Sequence, residues 1–252
     1  MPFPLSVTII SLNEEQNIAR AIQSVAWADD VLVVDSGSTD RTVEIARGLG
    51  ARVVTRPWPG YGPQKNFAQA EARHDWVLNI DADESVPPEL ARELQAAISG
   101  SPKHAGFEMP RKTFYLGRWI RHGGWYPNYL VRLADRRKAR WSEPDVHEQL
   151  VVDGSVGRLE HPLHHDAFPS IREQVLTNLR YAQLGATVLE RAGRRPSRSK
   201  LLLKPVGKFV ETFVLKRGFL DGMPGFIISI NAAHSMFMKY AFLIEPGLRK
   251  KP

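Results

Sequence analysis

Strand-like and helix-like segments alternate along the N-terminal part of the chain, and that alternation constrains the fold more than any other feature. Leu5–Ser11 (LSVTIIS), Val31–Asp35 (VLVVD), Arg52–Thr55 and Trp76–Ile80 (WVLNI) are short, β-branched, apolar runs of strand length. Between them Ile18, Ile22 and Val25 recur at helical spacing, as do Val43, Ala46 and Leu49, and Gln64 to Ala72 also reads as a helix. Asn13 is placed to cap the first helix, and Ser38 or Thr39 the second, which Gly50 ends. Pro87 or Pro88 starts a further helix that runs to Ser99, before Gly100. This rhythm predicts an α/β fold: a doubly wound, mainly parallel sheet flanked by helices. Ligands of such sheets bind beyond the carboxyl ends of the strands. Attention therefore falls on Ser11-Leu12-Asn13-Glu14, Asp35-Ser36-Gly37-Ser38, Arg56 and Asp81-Ala82-Asp83-Glu84.

After residue 105 the pattern changes to short strand pieces (Gly106 to Met109, Tyr129 to Leu133, Gln149 to Val152) among Trp, Tyr, Gly and Arg. From about Pro169 it is helical again, with Ser170 to Arg191, 201 to 217 and 224 to 244 as candidates and a basic linker at Gly193 to Ser199. The expected organisation is 1–168 as one α/β domain and 169–252 as a helical, basic extension. No cysteine occurs, so any metal has oxygen or imidazole ligands. The N-terminus lacks the features of a signal peptide. No uninterrupted apolar run of about 18 residues occurs, so a spanning helix is not expected.

The net charge is +7, and much of it sits in two clusters. Residues 111–140 hold nine Lys and Arg against Asp135, and residues 191–217 hold nine against Glu211. Such clusters favour anionic partners. The helical stretches 201–217 and 224–244 mix apolar faces with lysines, a composition suited to an anionic membrane surface. A nucleic-acid binder explains the charge but not the acidic strand ends, and no nucleic-acid motif is present. A nucleotidyltransferase usually carries a Gly-rich basic loop after the first strand, where this chain has SLNEE.

Two carboxylates one residue apart, Asp81 and Asp83, repel each other unless a cation lies near them. Mg²⁺ and Mn²⁺ suit such oxygen ligands and are commonly completed by substrate phosphates. Asp35 can accept a hydrogen bond from a nucleobase ring N–H, which uracil and guanine offer. Trp119, Trp125 and Tyr126 offer faces for sugar stacking. Nearby arginines, Arg111 and Arg132 among them, can pair with phosphates.

The segments SVTIISLNEEQNI, VLVVDSGSTDRT, GYGPQKNFA and WVLNIDADE together resemble glycosyltransferase family 2, which has the GT-A fold. RKTFYLGRWIRHGGWYPNYLVRL, DVHEQL, HHDAF and GFLDG resemble the branch that contains lipopolysaccharide-core β-1,4-glucosyltransferases. The resemblance implies an inverting hexosyltransferase that uses a UDP-sugar, glucose being the expected sugar, and Mg²⁺ or Mn²⁺. Its acceptor would be a phosphorylated glycolipid of the lipopolysaccharide core. A polyprenyl phosphate or exopolysaccharide acceptor is the alternative. The expected location is the cytoplasmic face of the inner membrane, peripherally bound. By the same resemblance Asp35 binds uracil, with Ser11 and Glu14 near the nucleoside and Lys65 and Asn66 beside the nucleotide. Asp83 ligates the metal, Asp81 lies near ribose or metal, and His165 completes the metal site. Glu148 is the expected general base, with Asp145 and Glu143 as rivals. Trp125, Tyr126, Arg111 and Arg132 face the acceptor.

Overall fold

The computed structural model describes residues 3–142, 148–194 and 197–248. The chain divides into two compact units, 1–112 with 128–165 and 113–127 with 166–252. The 113–127 segment, inside the span read from sequence as the α/β domain, thus belongs with the helical C-terminal part.

In the first unit, β1 (Leu5–Ser11), β2 (Asp30–Asp35), β3 (Arg52–Thr55) and β4 (Trp76–Asp81) pair in parallel, in the order β3-β2-β1-β4. Their connections are α1 (Ile18–Ser24), α2 (Thr42–Gly48) and α3 (Tyr61–Glu71). The parallel half is as predicted. β8 (Asn128–Asp135) then pairs antiparallel with β4, and β6 (Gly106–Tyr115) antiparallel with β8. β12 (Leu163–His165) and β5 (Glu84–Ser85) pair antiparallel at the far edge. β7 (Arg118–Trp119) and β11 (Val156–Arg158) each pair with β6, and β9 (Ala139–Trp141) and β10 (Leu150–Val152) form a separate hairpin.

β1 and β4 are buried on both faces, which explains their unbroken apolar runs. Ile9, Ile18, Leu78 and Met109 are essentially inaccessible and belong to one core cluster. α4 (Pro88–Ala97) starts with its proline at the first turn, where the missing N–H costs nothing. It presents Leu90 and Leu94 to that core, followed by Ile98. Burying each such side chain contributes about 1.5–3 kcal/mol.

Two of the expected helix caps are not used as caps. Asn13 takes a left-handed backbone at φ 56° and α1 begins only at Ile18. Its Oδ1 instead accepts from the Thr39 N–H at 2.8 Å, and its own N–H donates to Ser38 Oγ at 2.8 Å. Asn tolerates this conformation better than other non-glycine residues. Ser38 and Thr39 are thereby committed to tying the two strand-end loops together, and the Asp40 side chain accepts from the Thr42 N–H at the start of α2.

The second unit is built on α5 (Ile171–Arg191), α6 (Arg198–Phe209), a π-helical stretch at Val210–Leu215, a 3₁₀ turn at Gly218–Asp221 and α7 (Gly222–Leu248). Ser170 caps α5 as its sequence suggests, accepting from the Glu173 N–H. The expectation of no membrane-length helix is corrected here. The run Gly218–Leu248 is long and apolar enough, by length and composition, to cross a membrane. Asn231, His234 and Lys239 interrupt the apolar run without ending the helix.

Candidate active site

Strand register brings the acidic ends together. Asp35 stands opposite Ser11 and Asp81 opposite Ile10, so the two aspartates flank the end of β1. With strands about 4.8 Å apart, their backbones lie about 10 Å from each other.

Asp35 is 1% exposed. Its Oδ1 accepts from the N–H groups of Gly37 (2.9 Å) and Ser38 (2.8 Å). Its Oδ2 accepts from Ser11 Oγ (3.1 Å) and Ser38 Oγ. The turn after β2 thus folds around this carboxylate, which fixes Ser11 beside it.

Asp81 is more deeply engaged with cations. Arg132 Nη2 donates to its Oδ2 at 2.7 Å, and Lys65 Nζ lies 3.0 Å from its Oδ1. Burial works to raise its pKa, but Arg132 and Lys65 outweigh burial and hold the carboxyl far below its usual range. Lys65 Nζ also donates to Glu148 Oε1 at 3.0 Å and sits 4.5 Å above the Trp141 ring. One ammonium therefore joins Asp81 to the expected base.

Glu14 titrates the opposite way. Its carboxyl is raised mainly by burial, against a hydrogen bond from Asn17, and Asp83, Asp40 and Asp81 raise it further.

Asp83 meets His165 across the β5–β12 pair, with Oδ2 and Nε2 3.3 Å apart. Adjacent ligands on an octahedral ion at about 2.1 Å stand about 3 Å apart, so this pair can share one divalent cation. Among the described residues no third His, Asp or Glu joins them in a metal-binding group. A carboxylate and an imidazole are suitable donors for an ion whose remaining positions go to phosphate and water.

Several expected residues have other partners. Arg132 was read as facing the acceptor; it is 3% exposed, and its guanidinium is committed to Asp81 and, at 2.8 Å, to Glu84. Arg111 is also drawn to Glu84, at 3.3 Å. Asn66 clamps the backbone of Trp141 from both sides, donating to its carbonyl at 3.0 Å and accepting from its N–H at 2.9 Å. Trp125 packs in the second unit with Tyr115, Ile120, Phe168 and Ile228, in the manner of a core residue. Tyr126 belongs to the same unit and precedes a cis proline, Pro127. Asp145 and Glu143 lie outside the described residues.

Glu84 was missed as a site residue. It is fully buried, accepts from the Asp81 N–H at 2.9 Å and binds both arginines. The available signal was Arg132 itself. A charge inside the apolar strand NYLVRLAD requires a buried partner, and Glu84 is one of the few acids near a strand end.

A family model described as Glycosyl transferase family 2 matches residues 6–150. The chain belongs to glycosyltransferase family 2. A glycosyltransferase of Rickettsia typhi is 33% identical to this family-2 chain over 98% of it and 89% of the relative. The lipopolysaccharide core biosynthesis glycosyltransferase LpsC of Rhizobium meliloti is 29% identical, over 97% and 96% of the two chains. Among solved structures, glucosyl-3-phosphoglycerate synthase from Mycobacterium tuberculosis, in complex with Mn²⁺, UDP and glucosyl-3-phosphoglycerate, superposes with a TM-score of 0.50. It is 23% identical, covering 76% of this chain and 80% of its own. S. aureus TarS 1–349 also reaches 0.50 at 16% identity, covering 98% of this chain and 91% of its own. The fold is GT-A, as the sequence resemblance implied.

Proposed function

We propose that this family-2 glycosyltransferase transfers a hexose, glucose first among candidates, from UDP to a lipopolysaccharide or lipooligosaccharide core acceptor, with inversion. The observation that carries this reading is the Asp83–His165 pair, spaced for one divalent ion, near the strand ends that bear Asp35 and Asp81. The Mycobacterium tuberculosis neighbour holds Mn²⁺ and UDP in the same fold, and LpsC acts in lipopolysaccharide core synthesis.

In this reading the turn around Asp35 receives the uracil. Gly37 and Ser38 N–H groups hold Oδ1, and Oδ2 accepts the uracil N–H once the Ser38 hydroxyl turns aside. Asp83 and His165 hold Mn²⁺ or Mg²⁺, and the imidazole favours the transition ion. When bound, the ion neutralises charge on the departing diphosphate. Lys65 positions Glu148. Glu148 takes the acceptor hydroxyl proton as that oxygen attacks the anomeric carbon, and the bond from that carbon to the diphosphate breaks. The acceptor and its phosphates lie at the cytoplasmic face of the inner membrane.

Incubation with a panel of UDP- and GDP-sugars plus Mn²⁺, read by donor hydrolysis and thermal shift, tests the donor. UDP-glucose is expected to give the largest response. Asp83→Ala is expected to lose metal-dependent UDP binding together with activity. Full activity in EDTA, or preference for a GDP-sugar, overturns the reading.

A further inference from the structure

The second unit exposes residues that a water-facing helix normally hides. Along α6 and the π-helical stretch, Leu202, Val206, Val210 and Val214 recur every fourth residue, and with Leu215 they are 41–73% exposed. Side chains four apart share a helix face, and in a globular domain an apolar face of this kind turns inward. Here the inward side is already occupied. Phe209, Phe213 and Phe226 pack ring against ring at 5.2 to 6.0 Å, and Thr212 is buried. The segment therefore has two apolar sides, one packed on α7 and one open. The open side continues into Phe219, Leu220 and Met223, all exposed.

A second row of residues on α6 is cationic. Lys200, Lys204 and Lys208 also repeat every four residues, two positions out of step with the apolar row and so on nearly the opposite side of the helix. With Leu203, Met236 of α7 and Glu211, which accepts from Lys208 at 3.1 Å, they line a groove of about 510 Å³. Between 198 and 217 six lysines and arginines face Glu211 as the lone acid. An apolar face with a cationic face on the far side of the helix is the arrangement of a helix lying in the plane of an anionic bilayer.

We propose that this face is an in-plane docking surface for an anionic lipid bilayer. The exposed apolar side chains between Leu202 and Met223 enter the boundary between headgroups and acyl chains, and the positive potential of exposed Lys200 and Lys204 draws the helix to anionic headgroups. The surface deepens the reading of a membrane-borne acceptor, and rests on it for the biological role of docking. α7 does not cross the bilayer. Its Asn231 donates to Gln174 of α5 at 2.6 Å, and its Ser235 to the Asn178 carbonyl at 3.3 Å. Insertion would break these bonds or carry α5, with exposed Arg172, Arg180 and Arg191, into hydrocarbon.

Sedimentation of the full chain with vesicles of phosphatidylcholine, alone or mixed with phosphatidylglycerol, tests the proposal. Binding to the anionic vesicles is expected to be at least ~10-fold tighter. The double variant Lys200→Glu, Lys204→Glu should lose that preference, and Leu202→Asp with Val206→Asp should lower binding by ~10-fold or more. All four positions are exposed, so circular dichroism and UDP binding should match wild type. Bound protein should be released by alkaline carbonate. Equal binding to neutral vesicles, indifference to the aspartates, or resistance to carbonate, as for a spanning helix, overturns the proposal. So does a dimer in solution that Leu202→Asp dissociates. Absent vesicle binding with normal UDP affinity refutes the surface and leaves the donor site standing; absent UDP affinity with normal vesicle binding does the reverse.

Discussion

Replacing Glu84 by alanine probes the ionic cluster beneath the strand ends. Three donors depend on this buried side chain: the Asp81 N–H at 2.9 Å, Arg132 at 2.8 Å and Arg111 at 3.3 Å. Alanine removes this shared acceptor from all three at once. Arg132 keeps Asp81, but a buried guanidinium that loses one of two carboxylates is left undercompensated, and such losses cost about 3–5 kcal/mol. The orphaned Asp81 N–H costs about 1–3 kcal/mol by itself. These effects share one network and do not add, so the expected loss is about 3–5 kcal/mol in total. Glu84→Gln keeps the volume and one acceptor but turns an amide donor toward a donor; about 2 kcal/mol is expected. Urea unfolding followed by tryptophan fluorescence reads the stability, since Trp76 and Trp141 both lie in the first unit. Titration with UDP and Mn²⁺, below the unfolding temperature, reads the site, because Asp81 relies on Glu84 for its orientation. A Glu84→Ala protein within about 0.5 kcal/mol of wild type would behave as a surface substitution, and would refute the role assigned to this cluster.

Three further outcomes follow from the same geometry. Glu148→Gln should lower turnover by ~10²- to 10⁴-fold while UDP binding persists; unchanged turnover assigns the base elsewhere. Asp30 is buried, which opposes its ionised form, but bonds from Arg52, Ser6 and the Arg73 N–H bring its pKa down from 3.8 to about 2. A carboxyl lowered by folding stabilises above its unfolded value, so about 2 kcal/mol is lost as pH falls from about 4 to about 2. Asp30→Asn should flatten stability across that window, measured by denaturant unfolding. Glu14 has the opposite sign: folding raises its pKa, so its contribution is present at low pH and lost as pH rises through the folded value. Glu14→Gln should therefore gain melting temperature relative to wild type between about pH 4 and 7; a constant difference across that range would rule out this titration.

The parallel half of the sheet was legible because buried parallel strands write themselves as continuous apolar runs. LSVTIIS and VLVVD gave β1 and β2 to within a residue. The antiparallel half was harder, since β6 and β8 carry Glu108, Arg111, Lys112 and Arg132 within them. Register made the strand-end acids neighbours, as a doubly wound sheet requires. What local reading missed was reciprocity between distant residues. Asn13 looked like a cap until its partners proved to be Ser38 and Thr39. Arg132 looked like a phosphate ligand because its carboxylates lie 48 and 51 positions away in sequence.

The match to the family model ends at 150, yet His165, one of the two candidate metal ligands, stands beyond it, delivered by a short strand that adds to β5. A fragment trimmed to the shared stretch retains both strand-end aspartates and forfeits one of the two candidate ligands. The family model thus ends short of the second candidate ligand, whereas relatives such as the Rickettsia typhi glycosyltransferase align over 98% of this polypeptide.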